Sequence, residues 1–104
     1  MRPIHLARLD KVRPALLLTR ETVRADRTQL TVAPITSTIR GIATEVSVGR
    51  ANGLDRESVV LCDNVQTIDV HDVGPLIGFL HQDQEFTLTV ALIKAFDLRV
   101  EELP

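Results

Sequence analysis

The sequence has no tryptophan and no tyrosine, and only one cysteine and three phenylalanines among 104 residues. With a single thiol, Cys62, no disulfide can close within the chain and no thiolate cluster can form around a metal. Long apolar runs are missing too. Nothing approaches the roughly 18 residues of a membrane-spanning helix, and no apolar signal segment opens the chain. Few aromatics leave Phe79, Phe86 and Phe96 to fill the centre together with many Val, Ile, Leu and Ala. These absences predict a cytoplasmic protein that needs neither metal nor other cofactor. Cys62, in "SVVLCD", reads as a small buried hydrophobe.

The length predicts one domain over residues 1–104. Its net charge of −2 conceals an asymmetry: residues 1–50 carry a net +5 and the remainder a net −7. Ten of the twelve cations are arginine, whose planar fork matches phosphate oxygens. A basic half suits an anionic partner such as nucleic acid. Solvated surface arginines would give the same count.

Short strand-like runs separated by turn signals occupy the first eighty residues. "PIHLARL" (3–9) and "RPALLLT" (13–19) read as a tight hairpin, and "RETVRADRTQ" (20–29) as a polar loop. "LTVAPIT" (30–36) and "IATEVSV" (42–48) are further strands, the second with Ile42, Thr44, Val46 and Val48 on one face. After the Asn52-Gly53 turn come "SVVLCD" (58–63), "VQTIDV" (65–70) and, beyond a connection at "HDVGP", "LIGFL" (76–80). From Gln82 to Leu98, Phe86, Val90, Ile93 and Phe96 fall near helical spacing, which predicts a terminal helix with Phe86 and Phe96 in the core. Many short strands and one helix predict a mainly β, small antiparallel barrel.

The Arg13-Pro14 pair stands out at the mouth of an apolar strand. Proline suits a strand start and holds the preceding residue extended, so Arg13 is predicted at the rim of the sheet. Of the histidines, His5, His71 and His81, only His5 is expected to approach Arg13, through the first hairpin. Asp69 and Asp72 around His71 lack the spacing and number of a metal site and read as a solvated turn.

"VRPALLL" (12–18), "VAPITST" (32–38), "ATEVSV" (43–48), "ESVVLCDNVQTID" (57–69) and "VALIKAFDL" (90–98), in this order, resemble the MazF/PemK family of toxin endoribonucleases from type II toxin–antitoxin modules. The resemblance implies an SH3-like β-barrel with short helices and a C-terminal helix, acting as a homodimer. It implies metal-independent, sequence-specific cleavage of single-stranded RNA by the substrate's own 2′-hydroxyl. The products would be a 2′,3′-cyclic phosphate and a 5′-hydroxyl. A MazE-like antitoxin would block the groove with an acidic, extended segment. Arg13 and Thr36 match the family's catalytic positions. Ser37, Asn64, Gln66, Lys11 and Arg40 are the expected substrate contacts. A related barrel that poisons gyrase without an RNA site, or one that only binds RNA or protein, is the alternative.

The chain departs from the family in two places. Only Asp10-Lys11-Val12 joins the first two strands, where relatives have a long loop, and Gln66 stands where many have arginine. For the chemistry, a fixed cationic fork beside a hydroxyl is a preorganised site for charge developing on phosphorus. With a pKa above about 12, Arg13 suits electrostatic clamping better than general base catalysis.

Overall fold

The computed structural model describes residues 1–101; the single-domain expectation therefore extends slightly beyond them, into 102–104. Strands β1 (Arg2–Arg8), β2 (Val12–Leu17), β3 (Gln29–Thr36), β4 (Glu45–Val48), β5 (Ser58–Leu61), β6 (Gln66–Asp69) and β7 (Val73–Leu80) precede helix α1 (Glu85–Phe96). All pairings are antiparallel, in the order β4-β5-β3-β2-β1-β7. β3 is the pivot: its first half pairs with β6 and its last two residues with β5, so the sheet curls into a half-barrel.

The apolar run in β2 is explained by burial on both faces. Leu16, with Ile4, Ala33, Ile35 and Val60, packs under Leu88 and Ala91 of α1. Ala15 and Leu17 point the other way, to Ala7, Leu30, Val32 and Ile68. Strands covered on both sides need apolar residues at odd and even positions alike. Cys62 is fully buried in the first of these clusters.

Several expectations need correction. The strand predicted from residue 42 begins only at Glu45; Ile42 to Glu45 form a turn closed by the Glu45 N–H on the Ile42 carbonyl, and Ile42 is exposed. β7 starts at Val73 and runs through Gly74 and Pro75, where a connection is predicted. It lies at the sheet edge beside a register shift in β1, so the missing proline N–H disrupts little. The polar loop at 20–29 holds a 3-10 turn, Glu21–Asp26.

The largest correction concerns the aromatics. Phe86 is 77% and Phe96 55% exposed, and Phe79 is only half-buried. The face of α1 that meets the sheet is Leu88, Ala91, Leu92 and Ala95. At 3.6 residues per turn Phe86 lies roughly 160° around from Leu88. Leucine, valine and alanine fill the interior instead.

Candidate functional site

The β2–β3 ladder runs Leu17↔Val32, Leu16↔Ala33, Ala15↔Pro34 and then stops, just where Pro14 lacks an N–H to continue it. Carried two residues further, this register sets Arg13 opposite Thr36. The strands part there, because Ile35 and Thr36 turn to pair with Val60 and Val59 of β5. The opening is a cleft of about 320 Å³ lined by Arg13, Thr36, Thr38, Arg40, Asp63 and Asn64, among others.

Arg13 is not free in the cleft. Its Nε donates to Asp10 Oδ1 at 3.1 Å and its Nη2 to Oδ2 at 2.9 Å. Slight desolvation works against ionisation of the exposed Asp10, but the Lys11 backbone amide and the Arg13 fork outweigh it and hold the carboxyl below its ordinary value. Thr36 Oγ1 accepts a hydrogen bond from the Thr38 backbone N–H at 3.1 Å, which leaves its own proton to donate elsewhere.

Two carboxylates brace the far rim. Glu45 accepts from the backbone amides of Arg40, Gly41 and Ile42. Asp63 accepts from the Thr44 hydroxyl at 2.6 Å, tying the loop to the short 3-10 turn (Cys62–Asn64) that carries Asn64. The cleft thus draws on both the basic and the acidic half of the chain, which are not separate halves in space.

Of the seven predicted site residues, Arg13, Thr36, Arg40 and Asn64 meet in this cleft. Ser37 faces a neighbouring depression with Pro14 and Leu54. Gln66 pairs with Val32 on β6, away from the cleft, and Lys11 sits exposed in the turn beside Asp10. His5 pairs with Ala15, and its Nδ1 lies 2.9 Å from the Gly74 carbonyl on the side of β1 away from β2. His71 is paired with Asp69 at the opposite end of β3 from Thr36. Arg24 bonds the Thr19 carbonyl, also at that far end. Among the described residues no group of three or more His, Cys, Asp or Glu gathers as a metal site would require, and no helix is long and apolar enough to cross a membrane.

Sequence reasoning missed Asp10, Thr38, Thr44, Glu45 and Asp63. Only Asp10, three residues before Arg13 in a tight turn, carried a local signal.

A family model described as "PemK-like, MazF-like toxin of type II toxin-antitoxin system" matches residues 4–96. The chain is 60% identical over 98 residues to Endoribonuclease MazF3 of Mycobacterium tuberculosis, covering 94% of this chain and 95% of that protein. A solved structure of Mycobacterium tuberculosis toxin MazF-mt6 superposes with a TM-score of 0.94 at 58% identity, over 95% of this chain and all of the other. A MazE-MazF structure from Deinococcus radiodurans, 23% identical with a TM-score of 0.70, covers 89% of this chain and 92% of that one, and shares the fold.

Proposed function

The chain belongs to the PemK-like, MazF-like toxins of type II toxin–antitoxin systems, and from that membership we propose that it is a sequence-specific endoribonuclease that cuts single-stranded RNA without a metal. The observation that carries this reading is the meeting of Arg13 and Thr36 at one cleft. The substrate's 2′-hydroxyl loses its proton and attacks the adjacent phosphorus. The bond to the 5′-oxygen breaks, and that oxygen takes up a proton. A 2′,3′-cyclic phosphate and a 5′-hydroxyl result.

Within this scheme Arg13 clamps the phosphate oxygens, and the Thr36 proton supports the same developing charge. Arg40 and Asn64 hold flanking nucleotides. The Asp10 ion pair keeps the Arg13 fork ordered until a phosphate displaces the carboxylate.

The whole chain acts as one such domain, in the cytoplasm where its RNA is, and as a homodimer. The outer face of α1 supports a dimer: Phe86, Val90, Ile93 and Phe96 form an apolar stripe opposite the buried one, and a helix apolar on both sides calls for a second cover. The solved MazE-MazF complexes of relatives support a MazE-like antitoxin as partner. Its acidic, extended segment would compete with RNA for Arg13 and Arg40.

The test is cleavage of a long mixed-sequence RNA in EDTA by wild type and Arg13→Ala, with product ends mapped. Discrete cuts bearing cyclic phosphates, lost in the variant, are expected. Folded wild-type protein that cuts nothing would overturn the reading in favour of a binding module or gyrase poison.

A further inference from the structure

We propose that Glu45 is a positioning residue: its carboxylate holds the loop from Thr38 to Thr44, and with it Arg40, in the shape that receives RNA. This rests on the reading of the cleft just given. Glu45 Oε1 accepts from the amides of Arg40 at 3.2 Å, Gly41 at 2.9 Å and Ile42 at 3.4 Å, while Oε2 lies 3.3 Å from the first of these. Three successive amides turned onto one anion form a backbone nest. The turn needs Gly41, whose φ of +76° is left-handed and open to glycine without strain.

The far end of the loop is also tied, by the Thr44 hydroxyl to Asp63 and by the Cys62 N–H to the Thr44 carbonyl, but the stretch before it has few other bonds. Residues 37–43 are all exposed, so no side chain anchors them in a core. Between Ser37 and Ala43 the other hydrogen bonds are Thr38 N–H to Thr36 Oγ1 and Glu45 N–H to the Ile42 carbonyl. An exposed loop of this kind adds little to global stability, yet it carries four of the residues that line the cleft, Thr38, Arg40, Ile42 and Thr44. Its order is therefore of use to the site more than to the fold.

How Glu45 binds matters as much as that it binds. It takes the main-chain N–H of Arg40 and leaves the guanidinium without a carboxylate partner among the described residues. Arg13 is engaged by Asp10, so Arg40 is the cleft arginine whose charge is available at once to a phosphate. An ordinary Glu45–Arg40 side-chain pair would have neutralised it.

The experiment compares wild type, Glu45→Ala and Glu45→Gln on one cleaved oligoribonucleotide, with thermal midpoints and the rate of trypsin cleavage at the Arg40–Gly41 bond. Losing hydrogen bonds to a charged acceptor predicts a rise in KM of about tenfold for Glu45→Ala, with a smaller change in kcat. The thermal midpoint should hold while trypsin cuts Arg40–Gly41 faster. Glu45→Gln keeps an acceptor oxygen and should recover part of the KM and of the protection. An unchanged KM and trypsin rate in Glu45→Ala would overturn the proposal, as would a KM loss that follows a fall in thermal midpoint. Wild-type protein that cleaves no RNA would instead defeat the proposed function, and the trypsin rates would still decide whether Glu45 orders the loop.

Discussion

Asp10 and Arg13 form a two-point ion pair across the first turn, with both donor–acceptor distances near 3 Å: 3.1 Å at Nε and 2.9 Å at Nη2. The Asp10 side chain is 71% exposed, so the contact is in reach of solvent and of substrate. A phosphate seeking the same fork must displace a carboxylate. Asp10→Asn keeps the turn but removes the competing charge. A non-cleavable RNA analogue should then bind about three- to tenfold tighter at low salt, and the gain should shrink as salt screens it. Fluorescence anisotropy titrations at two salt concentrations check this; weaker binding by the variant would mean that Asp10 orients Arg13 without competing for it.

For Arg13 itself the expected loss is in turnover. Arg13→Ala should lower kcat by about 10²–10³-fold, the usual cost of removing one preorganised donor to a developing oxyanion. Arg13→Lys should recover little, because an ammonium cannot present two parallel donors. Single-turnover cleavage of a short RNA separates this from a change in binding.

Thr36 offers a sharper discrimination between contact and structure. Its oxygen already accepts from the Thr38 amide, so the proton is what catalysis would use. Thr36→Val keeps the shape and removes the hydroxyl, and should lower kcat by about 10²-fold with little change in thermal midpoint. Thr36→Ser should retain most activity. Activity kept in Thr36→Val but lost in Thr36→Ser would point instead to packing by the methyl group.

The line between what the sequence revealed and what it concealed follows the range of the forces involved. β3 and the centre of the first hairpin were legible because short apolar runs bounded by turn residues, and Pro14 at a strand start, are local signals. The terminal helix was legible as a helix but not in its orientation. Phe86, Val90, Ile93 and Phe96 mark an apolar stripe as good as Leu88, Ala91, Leu92 and Ala95, and periodicity cannot say which one meets the sheet. The site divides in the same way. Arg13 and Thr36 could be named from their motifs. Glu45 could not, because the pattern puts it in the middle of a strand over 42–48. Its role depends instead on the left-handed Gly41 just before that run and on the turn that replaces the run's first residues. Gln66 and Ser37 lie within matching motifs yet fall outside the cleft: β6 pairs with β3 only as far as Val32, and Ser37 faces the depression on the side of Pro14 and Leu54.

Asn52 is the buried polar residue on which the far side of the barrel depends. Only 2% exposed, it donates to the Phe79 carbonyl at 2.9 Å and to Gln84 Oε1 at 2.7 Å, and accepts from the Gly49 amide at 3.0 Å. Gln84 Oε1 in turn accepts from the His81 amide, at the entry to α1. Asn52→Ala strands a buried N–H and a buried carbonyl together, and should cost about 2–4 kcal/mol. Denaturant unfolding should show a lower midpoint with an unchanged slope. Cleavage by the folded fraction should be normal, since none of these groups lines the cleft.

Cys62 makes stability fall at alkaline pH. Burial, reinforced by the charge of neighbouring Asp63, pushes its thiol from 9.0 up to about 11. In the unfolded chain the thiol ionises near its ordinary value, whereas the folded protein keeps its proton until about pH 11. Between those limits the native state binds more protons, so unfolding becomes easier as pH rises. The contribution is absent below pH 8 and reaches about 2–3 kcal/mol above the folded value, from roughly two pH steps at 1.36 kcal/mol each. Denaturant unfolding of wild type and Cys62→Ala from pH 8 to 11 isolates it, because the titrations of lysine and arginine are common to both. The stability difference between the two proteins should change across that interval in favour of the variant. A difference that stays flat would mean that the thiolate is accommodated in the fold, and that the buried cluster around Leu16, Val60 and Leu88 admits solvent at that point.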